Sequence, residues 1–342
     1  MSTYNSKLLH HGGKLKEAAL KYNIPLSQWL DLSTGINPKG WPVPQLPPKI
    51  WSRLPEDEDD LHSAASAYYE TDNFLAVAGS QSAIQNLPLL KRKSIVGVIT
   101  PTYNEHAHAW KKVGHNIVEI SIEKNSLAID KIIDTLDVMI LINPNNPTGV
   151  KFHREKLLEW HSRIRKNNGW LIIDEEFIDT TPNESLISHS HKHGLIILRS
   201  LGKFFGLAGA RVGFVFAEEK ILSGLQYLQG PWTIASPSRW VAEKALLDTH
   251  WQTENRYYLI QKSTQLETVL TQHKLSVSGS CSLFHWIKNN NAQGLQSALA
   301  KHGVLTRLFT APNSLRFGLP KSNAELSRLS RALSHASQEI KA

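Results

Sequence analysis

The chain has 342 residues, 41% hydrophobic and 20% charged, with a formal net charge of +8 from 38 Lys+Arg against 30 Asp+Glu. That balance excludes disorder as the main state, the single cysteine Cys281 excludes an internal disulfide, and no apolar run is long enough to span a bilayer. The length suggests two lobes, residues 1–7 carry no apolar leader, and a reducing, cytoplasmic setting is expected.

In chain order, a helix is expected near Leu15–Tyr22, then a turn-rich stretch around Gly35–Pro42 and an extended proline connector through Pro48. A helix follows over Leu61–Tyr69. From Phe74 the pattern becomes a short apolar run, a Gly or Pro break, and a helix. The apolar runs are Phe74–Ala78, Ser94–Ile99, Val138–Ile142, Trp170–Ile173 and Leu195–Arg199, with Val212–Ala217 as a further candidate. The helices between them are Gln81–Leu90, Glu105–Val113 and Glu155–Lys166. Continuous apolar runs alternating with helices predict a mostly parallel sheet covered on both faces. After Pro231 the pattern predicts one long helical stretch, Ser236–Val269. Strands at Ser282–Ile287 and Leu315–Gly318 and helices near Gly294–His302 and at the C-terminus complete a smaller α+β lobe.

The basic excess has two readings, a nucleic-acid surface or pockets for small anions. The basic clusters, Lys91-Arg92-Lys93 and Arg163–Lys166, are short and lack interleaved aromatics, so they read as a solvated loop and a solvated helix face. No nucleic-acid or membrane partner is expected. His189-Ser-His191-Lys-His193 has no carboxylate or cysteine at ligand spacing and reads as solvated; no metal site is expected. His106 and His108 do not share a helix face, and Cys281 reads as a small buried hydrophobe.

Ligands of open parallel sheets bind at the carboxyl ends of the strands. Those ends carry Gly79-Ser80-Gln81, Tyr103, Asn143–Gly149, Asp174 and Ser200–Lys203, with Arg211 shortly after. Singly, each could be a cap or a turn. Together, Asn146-Pro147-Thr148-Gly149, Asp174, Ser200-Leu-Gly-Lys203 and Arg211 resemble the fold-type-I pyridoxal-5′-phosphate (PLP) enzymes of the aminotransferase class over nearly the whole chain.

That resemblance implies an α/β fold-type-I PLP-dependent transferase architecture. Its expected parts are an N-terminal segment over 1–45 serving the substrate site and small domain, a PLP-binding large domain over 46–232, and a small domain over 233–342. It implies that Lys203 bonds to the cofactor and shuttles a proton, and that Asp174 pairs with the pyridine nitrogen. Asn146 is expected on the ring's 3′-oxygen and Tyr103 on the ring face. Ser80, Gln81, Ser200 and Arg211 are expected around the phosphate. Three positions depart from the commoner pattern: Gly202 where Ser or Thr usually precedes the lysine, Phe177 in place of a tyrosine, and Leu54 in place of another.

Leu9-His-His11-Gly12-Gly13, Trp29–Pro38 and Arg199–Gly209 further resemble the threonine-phosphate decarboxylases of cobalamin biosynthesis. This implies decarboxylation of L-threonine O-3-phosphate to (R)-1-aminopropan-2-yl phosphate, with a homodimer as the working form. Arg316 is then the expected carboxylate ligand. His11, Gly12, Asn37 and Arg307 are expected at the substrate, with Asn146 beside them. The rival is an aminotransferase such as histidinol-phosphate aminotransferase, and a non-catalytic binding protein of the same fold is a more distant one.

Overall fold

The computed structural model describes residues 11–56, 59–122 and 127–340. The N-terminal stretch read for a leader, and Leu9 and His10, lie outside them.

The described chain begins with helix α1 (Leu15–Tyr22) and a short strand β1 (Leu30–Leu32). Helix α2 (Asp60–Tyr69) is capped by Asp59, whose side chain accepts from the Leu61 N–H. Then come β2 (Phe74–Val77), α3 (Ser80–Asn86), β3 (Ile95–Thr100), α4 (Glu105–Lys112), β4 (Asn116–Ser121) and α5 (Leu127–Ile132). They are followed by β5 (Val138–Ile142), α6 (Arg154–Arg165), β6 (Trp170–Asp174), β7 (Leu195–Ser200), β8 (Gly213–Phe216) and α7 (Glu219–Gln229). These strands form one sheet in the order β2-β8-β7-β6-β5-β3-β4, parallel except where β8 runs against β2 and β7.

Both faces of that sheet are covered, which is why its central strands read as unbroken apolar runs. Met139, Leu141, Leu171 and Ile173 pack into a core with Leu157 and Trp160 of α6. Their alternate neighbours Val138, Ile140 and Ile172 pack into a second core with Ile84 of α3 and Trp110 of α4. The α/β architecture is as expected from the sequence.

The chain then continues through α8 (Ser236–Leu247), α9 (Thr249–Gln272), β9 (Gly279–Cys281), β10 (Phe284–Lys288), α10 (Ala292–Lys301), β11 (Val304–Thr310), β12 (Asn313–Gly318) and α11 (Asn323–Glu339). The second sheet has the order β1-β11-β12-β10-β9, so the N-terminal β1 completes a sheet otherwise built from the C-terminal part of the chain. No described helix is long and apolar enough to cross a membrane.

Two expected helices are corrected. The stretch Ser236–Val269 is two helices, because the Asp248 carboxylate caps α9 by accepting from the Trp251 N–H at 3.0 Å and also accepts from the Trp41 indole at 3.0 Å. The helix expected over Gln81–Leu90 leaves the α form at Asn86 and finishes as a 3-10 turn, Leu87–Leu90, where Pro88 lacks the N–H an α-helix needs. The sequence reading also passed over β1, β4, α5, α7 and β11.

Candidate active site

Parallel strands deliver their carboxyl ends to one edge, and the residues there meet. Ser80, Gln81, Tyr103, Asn146, Asp174, Ser200, Lys203 and Arg211 all line a cavity of about 150 Å³. Asp174, at the end of β6, is buried; its Oδ2 lies 2.9 Å from His106 Nε2 and its Oδ1 accepts from the Glu176 N–H at 3.1 Å. The carboxylate is thereby held in one orientation, and His106 from α4 is a partner the sequence reading did not foresee.

Arg211 lies across Gly79. Gly79 has φ +73°, which favours glycine, and a Cβ there would come within 2.6 Å of Arg211 Nη2 and displace the guanidinium from its present place. A second glycine, Gly149, closes the Asn143–Gly149 turn at φ +69°, where a Cβ would meet the Ser280 carbonyl at 2.2 Å. That turn sets Asn146 between the two sheets. Asn146 Oδ1 accepts from Arg316 Nη1 at 2.6 Å, which fixes the amide orientation and leaves its NH2 group as donor to the cavity.

A second cavity of about 270 Å³ adjoins the first and shares Tyr103, Asn146, Phe177 and Lys203 with it. Its walls also include His11, Gly12, Arg307 and Arg316. Arg307 and Arg316 are register partners on β11 and β12, so two guanidinium groups serve one chamber. Arg316 is buried and donates only to neutral oxygens among the described residues, Asn146 Oδ1 and the Ser33 carbonyl at 3.1 Å. Its buried Nε has no hydrogen-bond partner among the described residues. Burial, reinforced by the neighbouring Arg307 charge, lowers its pKa to about 10.

His11 stands at the mouth, its Nε2 2.8 Å from Glu105 Oε1. Glu105 Oε2 accepts from Gln81 at 3.0 Å, and Gln81 Oε1 accepts from the Tyr103 hydroxyl at 3.2 Å. Burial, with Glu105 next, pushes the Tyr103 hydroxyl above its usual range, so it remains a donor at neutral pH.

Of the predicted site residues, Asn37 lies outside both cavities, and Ser200 has an unexpected partner within the first. Asn37 lines neither cavity; its amide donates to the Phe204 carbonyl at 2.8 Å and Asn255 at 3.0 Å, while its backbone N–H donates to the Lys203 carbonyl at 3.0 Å. It braces the lysine segment from beneath. Ser200 lines the first cavity, but its hydroxyl donates to Glu176 Oε2 at 2.6 Å.

Glu176 itself was missed. The signal was alternation at the end of a strand: Asp174 and Glu176 share the cavity side, while the intervening Glu175 reaches Ser185 and Arg199. Of the three departures, Phe177 forms a wall shared by both cavities and Gly202 donates its N–H to Ser200 Oγ at 3.1 Å. Leu54 is exposed and lines neither cavity.

Comparison with known proteins adds four findings. The family model of aminotransferase class I and II matches residues 54–333. The chain is 47% identical over 326 residues to a threonine-phosphate decarboxylase from Pseudomonas aeruginosa, covering 95% of this chain and 97% of that one. It is 37% identical over 332 residues to a threonine-phosphate decarboxylase from a Sinorhizobium species, covering 94% and 97%. Among solved structures, a histidinol-phosphate aminotransferase from Sinorhizobium meliloti in complex with pyridoxal-5′-phosphate superposes with a TM-score of 0.85 at 17% identity, covering 99% of each chain.

Proposed function

The chain belongs to the class I and II aminotransferase family, and on that premise we propose that it is a PLP-dependent carboxy-lyase of cobalamin biosynthesis. It converts L-threonine O-3-phosphate to (R)-1-aminopropan-2-yl phosphate and CO2. The observation that carries this reading is Arg316, a buried guanidinium with no carboxylate bonded to it among the described residues, facing Arg307 beside the lysine cavity. A buried guanidinium bonded only to neutral oxygens, as Arg316 is among the described residues, is costly unless an anion from outside completes it, and a phosphorylated amino acid brings a carboxylate and a phosphate.

The first cavity fits the cofactor. Asp174, fixed by His106 and by the Glu176 N–H, is placed to hold a protonated ring nitrogen. The Asn146 NH2 group would serve the 3′-oxygen, Tyr103 would lie against the ring, and Ser80, Gln81, Ser200 and Arg211, which line the same cavity, would hold the phosphate. PLP supplies an electron sink for the bond that breaks at Cα.

The protein's own part is selection of that bond. Arg316, rigid between Asn146 and Ser33, grips the carboxylate and so decides which Cα bond is presented for cleavage. Arg307 and His11 hold the substrate phosphate at the far side of the second cavity. Lys203, in the wall of both cavities, returns a proton to Cα after CO2 leaves.

The working form is a homodimer; the exposed Trp51, Leu54, Tyr227 and Trp232 support an apolar contact surface. A cytoplasmic setting suits the lone, buried Cys281, whose thiol burial pushes up to about 12. The deciding experiment is CO2 release from L-threonine O-3-phosphate by PLP-loaded protein without any 2-oxo acid, with Lys203→Ala as the blank. Sustained release is expected. Turnover that depends on an added 2-oxo acid replaces the reading with transamination.

A further inference from the structure

A cradle for a phosphate dianion is ordinarily furnished with donors and positive charge, yet this one contains a carboxyl group. Glu176 lines the lysine cavity beside Ser80, Ser200 and Arg211. It is 8% exposed. Its Oε2 accepts the Ser200 hydroxyl at 2.6 Å, the Ser80 hydroxyl is its other polar neighbour, and its buried Oε1 makes no well-formed hydrogen bond among the described residues. An unpartnered buried carboxyl oxygen in a ligand cavity is an unmet hydrogen-bonding demand.

We propose that Glu176 is a neutral acid in the loaded enzyme, donating its proton toward the cofactor phosphate, so that each cofactor bound takes up one proton from solvent. The proposal rests on the PLP reading above. If the carboxyl stayed ionised, it and the phosphate would compete as acceptors for the same hydroxyl and repel one another at short range. Protonation removes the repulsion and turns a competing acceptor into a donor.

The surroundings lean the same way. Burial first, and then the Asp174 carboxylate, raise the Glu176 pKa above the ordinary carboxylate range, against the opposing pull of the Lys203 charge and of the Ser200 and Ser80 hydroxyls. The other ionisable groups facing it are Arg211 in the same cavity, and Tyr69 and Tyr103, both with raised pKa values and therefore neutral. Arg211 is the guanidinium left to balance the phosphate in this cradle. The phosphate adds roughly −1.5 to −2 of charge, so binding raises the Glu176 pKa further. Between its values in the free and loaded protein, affinity falls as pH rises.

The test uses 4′-deoxypyridoxine 5′-phosphate, which keeps ring and phosphate but lacks the aldehyde, so that bond formation by Lys203 does not enter. Its dissociation constant is measured by tryptophan fluorescence from about pH 7 to about pH 9, above the second phosphate ionisation near 6. In the wild type, Kd is expected to climb more steeply than in Glu176→Gln, by up to about tenfold per pH unit. The neutral isostere binds more tightly at the alkaline end. The probe's own titrations are common to both proteins and cancel in the comparison.

Glu176→Ala is measured alongside and should share the shallow slope. Calorimetry in two buffers of different ionisation enthalpy counts the protons taken up by the wild type and by Glu176→Gln; the ring nitrogen contributes equally to both, so an excess of about one in the wild type is expected, and equal uptake overturns the proposal. Parallel slopes overturn it too, and either result leaves the PLP reading intact. Weaker binding of both variants at every pH also overturns it, since Glu176 would then merely position Ser200. A wild type that binds no probe sinks the PLP reading and the proposal together.

Discussion

Arg199 and Arg316 are both buried arginines on strands near the active site, and their electrostatic surroundings are opposite. Arg199, on β7, ion-pairs with Asp179 and with Glu175 at 3.4 Å and lies 5.3 Å over the Tyr69 ring. Burial works against its charge, but Asp179, Tyr69 and Glu175 outweigh it and hold the guanidinium above its ordinary range. Arg316, on β12, has neutral oxygens and a second arginine, and its pKa falls to about 10. One charge is completed by the protein that buries it. The other has no balancing anion among the described residues. A buried guanidinium is therefore informative about function when its balancing anion is not supplied from within.

The comparison can be broken most decisively at Arg199. Removing one partner of a buried charge network strands the others. Arg199→Met is expected to cost about 3–5 kcal/mol of stability in urea denaturation. Unchanged stability would show that Glu175 and Asp179 tolerate burial alone, and the contrast would fail. Arg316→Met should behave conversely, with stability within about 1 kcal/mol of wild type. Its kcat/KM should fall by roughly thirtyfold or more, as expected when a buried charge pair of about 2–5 kcal/mol is truncated. PLP retention, read by absorbance, should survive; loss of cofactor with intact substrate affinity would contradict the assignment. Smallest is Arg307→Met, in the half-buried partner: a loss of affinity near tenfold, or about 1.4 kcal/mol, with the unfolding midpoint little changed. An effect on folding larger than that on binding would move Arg307 to the Arg199 type.

The parts legible in the sequence were those carried by local pattern. β5 and β6 announced themselves because burial on both faces leaves no polar interruption, and their ends marked Asp174 and Asn146. β4 was passed over because its burial is poor: Glu119 interrupts Asn116–Ser121 and several of its side chains face water. β11 was passed over because Arg307 stands in its middle, facing the cavity rather than the core. Function itself obscured that strand. Asn37 illustrates the other limit. The motif around it was informative, but its hydrogen bonds run to Phe204 and Asn255, and no local spacing reports partners so distant. Glu176 needed only the rule of alternate residues, applied one step past Asp174.

Asn37 also bears on the order in which the molecule is assembled. Its amide joins residues 167 and 218 positions away, and its backbone holds the carbonyl of the lysine itself. Closing such loops is paid in chain entropy before the contact returns anything. Asn255 lies on α9, so a chain emerging from the ribosome lacks one of the three strands of this knot until most of its length has been made. The bracing beneath Lys203 is therefore completed by a residue made about fifty positions after the lysine, and a chain cut short before Asn255 carries the reactive amine without its full support.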